Sequence, residues 1–255
     1  STLLNYILQD NRSVVSPIAG TTRDAIQEEI IVNDTSFTFI DTAGIRKKSK
    51  EHEAVDKFAA VRTEDAIERA DICLLVLDAE QGLTVHDKKI ASEIEALVKG
   101  CILIFNKWDL IKGHRMEHCE LFVRDEAAFL NHCPTIFLSA LSGRNVSKIF
   151  PLIKEVREGQ KLRITTGQLN KFVEKAIQLY HPAMIKGKRL RIYYMAQVGI
   201  QPPTFVLFVN YPTLMQESYK KYLIHQFRKT YGFKGNPLVF LLKPRKREKM
   251  DFSTK

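Results

Sequence analysis

Several things are scarce in this chain, and each scarcity excludes a class of protein. No apolar run approaches the roughly 18 residues that a membrane-spanning helix requires. The opening Ser1-Thr2-Leu3-Leu4 lacks the character of a signal segment, so a soluble, cytoplasmic protein without membrane contact is expected. Only four cysteines occur (Cys73, Cys101, Cys119 and Cys133), with no short paired spacing, which predicts reduced thiols rather than a disulfide framework. His114, His118, Cys119, His132 and Cys133 do not form the tight pairs of a zinc site and read as ordinary residues around one helix. The most telling scarcity is of acidic residues. From Lys161 onward 19 Lys and Arg stand against 4 Asp and Glu, a net +15; the residues before it carry 20 against 25, a net −5, and together these make the chain's +10. An acidic half joined to a strongly basic one predicts a nucleic-acid face on the second half, with a merely solvated surface as the alternative.

What is present begins with Cys101-Ile-Leu-Ile-Phe-Asn-Lys-Trp-Asp109. A short apolar run after Gly100 reads as a buried parallel strand that delivers Asn106, Lys107 and Asp109 to its carboxyl end, the edge where open α/β sheets bind ligands. An aspartate there can accept from two donors on one edge of a base while the lysine stem covers its face. Guanine offers that donor pair and adenine does not. Thr135-Ile-Phe-Leu138 predicts another strand, and Ser139-Ala140-Leu141 after it can present a backbone N–H to the guanine carbonyl oxygen.

The phosphate side is read from the first fifty residues. Ser1-Thr2 runs straight into an amphipathic helix, as the last members of a glycine-rich phosphate loop do, and Ser1 would then ligate magnesium. In the polar loop Ala19-Gly20-Thr21-Thr22-Arg23-Asp24, a threonine can give a side-chain oxygen to magnesium and an N–H to a terminal phosphate. Thr22 is favoured, and Thr21 stays open. Residues Gln27 to Val32 and Phe37 to Asp41 predict a hairpin forming a locally antiparallel part of the sheet. Asp41 suits a water-mediated contact to magnesium, and in Thr42-Ala43-Gly44 the glycine lets an N–H approach a γ-phosphate. Ile45 follows, and an apolar side chain cannot orient an attacking water. Arg46 to Lys50 is a basic loop, either a solvated run or a nucleotide-dependent RNA contact.

Further helices are expected over Ala59 to Ala70, Asp87 to Leu97 and 145–160, with Gly159 as a stop, and a strand over Ile72 to Leu77 ending at Asp78. The second half predicts a helix capped by Thr166, strands over Arg189 to Val198 and Thr204 to Val209, a helix over Leu214 to Tyr231 and a strand over Leu238 to Leu242. That order, α-β-β-α-β, makes one small α+β domain. Alternation puts Arg189, Arg191 and Tyr193 on one strand face beside Lys188, a set suited to phosphate contact and base stacking. Gly232-Phe233-Lys234-Gly235 runs into a strand and reads as a helix-ending glycine plus a turn rather than an RNA-clamping loop. The Lys243 to Lys249 tail is basic.

Ala19-Gly-Thr-Thr-Arg-Asp24, Asp41-Thr-Ala-Gly-Ile-Arg46, Glu68-Arg-Ala-Asp71, Asn106-Lys-Trp-Asp109 and Ser139-Ala-Leu141, followed by a basic α-β-β-α-β domain, resemble the Der (EngA) family of GTPases. The resemblance implies a P-loop GTPase-type, mostly parallel sheet with helices on both faces over residues 1–160, its first central strand absent, then a small KH-like α+β domain over 161–255. It implies GTP and magnesium, hydrolysis of GTP to GDP and phosphate, and action in maturation of the large ribosomal subunit with contact to its RNA. Potassium is implied by the family alone. The phosphate loop before Ser1 would supply most of the phosphate grip, so these 255 residues are expected to bind GTP weakly and hydrolyse it negligibly. Two rivals are an Era-like GTPase, which a Gly-x-x-Gly between helices would favour, and a non-enzymatic RNA-binding protein with a degenerate nucleotide fold.

Overall fold

A computed structural model describes residues 2–10, 26–41, 63–111, 113 and 116–245. Thr21, Thr22, Thr42, Ala43, Gly44 and Ser1 lie outside them. The chain divides into two compact units, one running to Arg157 and including Lys234–Asn236, the other comprising Glu158–Phe233 and the residues from Pro237.

In the first unit three parallel strands, β3 (Ile72–Asp78), β4 (Gly100–Asn106) and β5 (Thr135–Phe137), lie in that order. β4 is central, and Gly100 to Phe105 are all buried, as a strand covered on both faces must be. Alternate residues sort to the two faces. Leu75, Leu77, Leu103, Phe105 and Phe137 meet Ile67 of helix α2 (63–69), Ala91 and Ile94 of α3 (Val85–Ala96) and Val123 of α4 (Met116–Glu126). Ile102, Ile104, Ile136 and Leu138 meet Leu3 and Ile7 of α1 (Thr2–Asp10) and Ile149, Phe150 and Val156 of α5 (Ile149–Lys161). Burying each such aliphatic side chain stabilises by about 1.5–3 kcal/mol. Thr84 opens α3 with a reciprocal capping box to Asp87. α5 runs through Gly159, which does not stop it. Late in the chain, Gly235 accepts from the Cys101 N–H and donates to the His132 carbonyl, adding a short backbone bridge beside β4.

The predicted hairpin forms from β1 (Ile26–Val32) and β2 (Thr35–Asp41) around Asn33 and Asp34, both at positive φ, as a two-residue hairpin turn requires. Among the described residues its two strands pair only with each other, not with the larger sheet. Side chains join it to the rest: Ile30, Phe37 and Phe39 enter the α1/α5 core, with both phenylalanines edge-on to Phe150.

The second unit holds α6 (Thr166–Leu179), a small hairpin of β6 (Met184–Ile185) and β7 (Lys188–Arg189), then β8 (Ile192–Ile200), β9 (Pro203–Val209), α7 (Glu217–Tyr231) and β10 (Val239–Pro244). The sheet order is β10-β9-β8, antiparallel between β8 and β9 and parallel between β9 and β10. Its core joins Leu169, Phe172 and Val173 of α6 and Leu223 and Phe227 of α7 to Met195, Phe205, Leu207 and Phe240. Thr165, not Thr166, caps α6, because its hydroxyl accepts from the Gln168 N–H while Gln168 answers to the Thr165 N–H. Arg189 and Tyr193 are not on one strand. The Asn210 amide takes the Arg191 N–H and donates to the Arg189 carbonyl, so the chain leaves the β7 ladder before β8 begins. The two cations therefore do not share a strand face with Tyr193 by simple alternation.

Candidate guanine-recognition site

The carboxyl ends of β3, β4 and β5 bring together Asp78, Asn106 and the residues after Phe137. Asp78 and Asn106 are register partners, and the Ala79 N–H donates to the Asn106 carbonyl at 3.0 Å. Lys107 then adopts the left-handed region, φ +63°, which turns the chain sharply off the strand into the 3-10 turn Trp108–Leu110. Trp108 fixes that turn. Its indole is buried edge-on against Phe137 at 4.5 Å, and its backbone N–H donates to the Leu138 carbonyl at 3.1 Å. With Trp108 inward, Asp109 is exposed to solvent.

The loop after β5 is tied to the same place. The Asn106 side-chain oxygen accepts from the Ala140 N–H at 2.9 Å, joining the two loops directly. Ser139 is buried, and its hydroxyl accepts from the Ser142 N–H. The Asn145 amide donates to the Phe137 carbonyl at 2.9 Å. Gly143, at φ +77°, approaches the Tyr6 ring of α1 so closely that an added Cβ would overlap it. Leu141 is 82% exposed. Ala140's N–H is thus already engaged, while Leu141 stands at the open edge.

Asp78 carries a role that the sequence reading does not give it. Its carboxylate accepts from the Lys107 ammonium at 2.5 Å and from the Glu80 N–H at 2.9 Å. The Lys107 hydrogen bond holds the Asp78 carboxyl below its ordinary range and raises the lysine. The signal available in sequence is an acid ending β3, but its meaning depends on the register that sets it beside Asn106.

Of the residues assigned to phosphate and magnesium, Thr2 opens α1 and Asp41 closes β2 opposite Ile26. Lys188, Arg189, Arg191 and Tyr193 are all in the second unit, on two different elements and the link between them. Among the described residues no helix is long and apolar enough to cross a membrane.

Residues 1–107 match the model of the 50S ribosome-binding GTPases, and residues 163–243 match the KH-domain-like C-terminal region of EngA bacterial GTPases. The chain belongs to the Der (EngA) family. GTPase Der of Protochlamydia amoebophila is 58% identical over 243 residues, covering 95% of this chain and 50% of that protein. GTPase Der of Ruminiclostridium cellulolyticum is 45% identical over 250 residues, covering 97% and 57%. This Der-family chain therefore spans about half the length of these relatives. Among solved structures it is similar to Aquifex aeolicus Era, with a TM-score of 0.48 and 20% identity over 96% of this chain and 88% of that one.

Proposed function

We propose that the chain is the guanine-reading and RNA-contacting portion of a cytoplasmic GTP-binding and GTP-hydrolysing switch protein that acts in biogenesis of the large ribosomal subunit. The observation that carries the nucleotide reading is the Asn106–Ala140 hydrogen bond. Because that bond ties the two loops together, Asn106, Lys107 and Asp109 would face one edge of the base and Ser139, Ala140 and Leu141 another. Asp109 would accept from the guanine ring N–H and amino group, the Leu141 N–H would meet the carbonyl oxygen, and the Lys107 stem would cover the ring. Adenine in the same place would leave the carboxylate unpaired, a heavy penalty for a site built on hydrogen bonds.

On this reading residues 1–160 form the GTPase domain and 161–255 the KH-like domain. Ser1, Thr22 and Asp41 would hold magnesium, which when bound neutralises charge on the phosphates. Thr42, Ala43 and Gly44, with Thr2, would line the phosphates, and Thr22 and Gly44 would act on the γ-phosphate. Catalysis would come from positioning and electrostatics, with water attacking phosphorus. Potassium rests on the family alone. Lys188, Arg189, Arg191 and Tyr193 would contact ribosomal RNA.

The test is nucleotide competition and hydrolysis, measured on this chain and on the chain extended upstream of Ser1 by a strand and a Gly-x-x-x-x-Gly-Lys loop. The extended protein should prefer GDP to ADP and hydrolyse GTP, and the 255-residue chain should hydrolyse it negligibly. Equal affinity of the extended protein for GDP and ADP would defeat the guanine reading.

A further inference from the structure

One end of the second unit's sheet gathers aromatic rings and cations. Ile192 pairs with Val209 and Val209 with Pro244, so residues 188–193, 209–211 and 243–245 converge there. The Lys188 ammonium lies over the Tyr211 ring, 5.2 Å from its centroid, and the Arg245 guanidinium lies over Tyr193 at 5.0 Å. Both rings remain open to solvent, Tyr193 43% and Tyr211 51% exposed. Arg189 and Arg191 are exposed beside them, their backbone pinned by Asn210.

Among the described residues, charge on this surface is uncompensated. Among the described residues none of Lys188, Arg189, Arg191 and Arg245 forms an ion pair. Glu217 is the only acidic residue between Lys175 and Arg247. Cations that lack carboxylates rest on the negative faces of the tyrosine rings, an attraction that is weak at exposed sites and so can be exchanged for a better partner.

A polynucleotide offers both better partners at once. A nucleobase stacks on a tyrosine face more strongly than a hydrated cation sits there, and the displaced cation moves to the neighbouring phosphate. A duplex hides its base faces in its own stack and can use only the charges. We infer that Tyr193 and Tyr211, with Lys188 and Arg245, form a docking surface for an unpaired RNA strand, whose bases stack on the two rings while its phosphates take the cations. This rests on the RNA part of the proposed function and narrows it to one edge of one sheet.

Fluorescence anisotropy of the full chain would test this, with a labelled RNA of about 12 nucleotides, single-stranded or annealed to its complement. Tyr193→Ala and Tyr211→Ala should each weaken single-strand binding about 5- to 150-fold and leave duplex binding unchanged, while Tyr193→Phe and Tyr211→Phe restore it. Both tyrosines are exposed, so the variants keep the core intact. Single-strand binding that is absent, indifferent to the alanine variants, or abolished in step with duplex binding would overturn the inference. If Lys188→Glu and Arg245→Glu weaken binding while the tyrosine variants do not, RNA contact stands and stacking falls; if neither pair matters, both fall.

Discussion

The first unit places its polar chemistry where strands stop, whereas the second spreads it over loops and a sheet end that only tertiary structure assembles. Asn106 ends β4, Lys107 and Asp109 come directly after it, and Ala140 lies three residues past β5, so parallel register brings them together. In the second unit Lys188, Tyr193, Tyr211 and Arg245 come from three separate stretches of chain. A site at strand ends is written in contiguous motifs. A surface site is written as a bias in composition, which fixes its sign of charge and not its location.

Replacing Asp109 by Asn is the hardest test of the contiguous site. An amide presents a donor where the carboxylate accepts, so the preference for guanine over xanthine nucleotides should fall by about 100-fold or more, read by competition in the upstream-extended protein. An unchanged preference would show that strand ends do not fix the base. Gly143→Ala should come next. It forces a side chain into the left-handed region and into Tyr6, costing about 2 kcal/mol or more in urea unfolding and speeding hydrogen exchange in the segment after β5. Thr84→Ala and Thr165→Ala remove matching capping boxes, one in each unit, and each should cost about 1 kcal/mol, followed as faster exchange of α3 and α6 respectively. A cost confined to one of them would show that the two units rely on their helix starts unequally.

Reversing Lys188 and Arg189 to Glu should lower RNA affinity and flatten its dependence on salt by about 0.7 in logarithmic slope for each phosphate no longer neutralised. An unaltered slope would move the basic surface elsewhere. The smallest effect belongs to Asp78. Its folded-state value is depressed by Lys107, so the stabilisation is complete above the ordinary carboxylate range and disappears as pH falls through the lower folded value. A small loss of stability below about pH 4, absent from Asp78→Asn, is the expected outcome in acid titration.

Legibility in the sequence follows the same division. The buried run before Asn106 and the main helices and strands of both units follow from apolar periodicity and turn residues, and Gly232 is readable as a helix end, whereas the short β6–β7 hairpin is not. The break before Ile192 is not, because it depends on Asn210, about twenty positions later, hydrogen-bonding across to Arg189 and Arg191. The β1–β2 hairpin itself is legible because the turn chemistry at Asn33-Asp34 is local. Gly159 reads as a stop by propensity, yet Val156 and its neighbours pack α5 well enough to carry the helix past it.

Trp108 is the chain's single indole. It is lodged between the turn that carries Asp109 and the strand that leads to Ala140. Any rearrangement of those two loops must alter the polarity around that ring. The protein therefore contains an optical gauge of these two loops, one whose emission should report any change in their packing without a label.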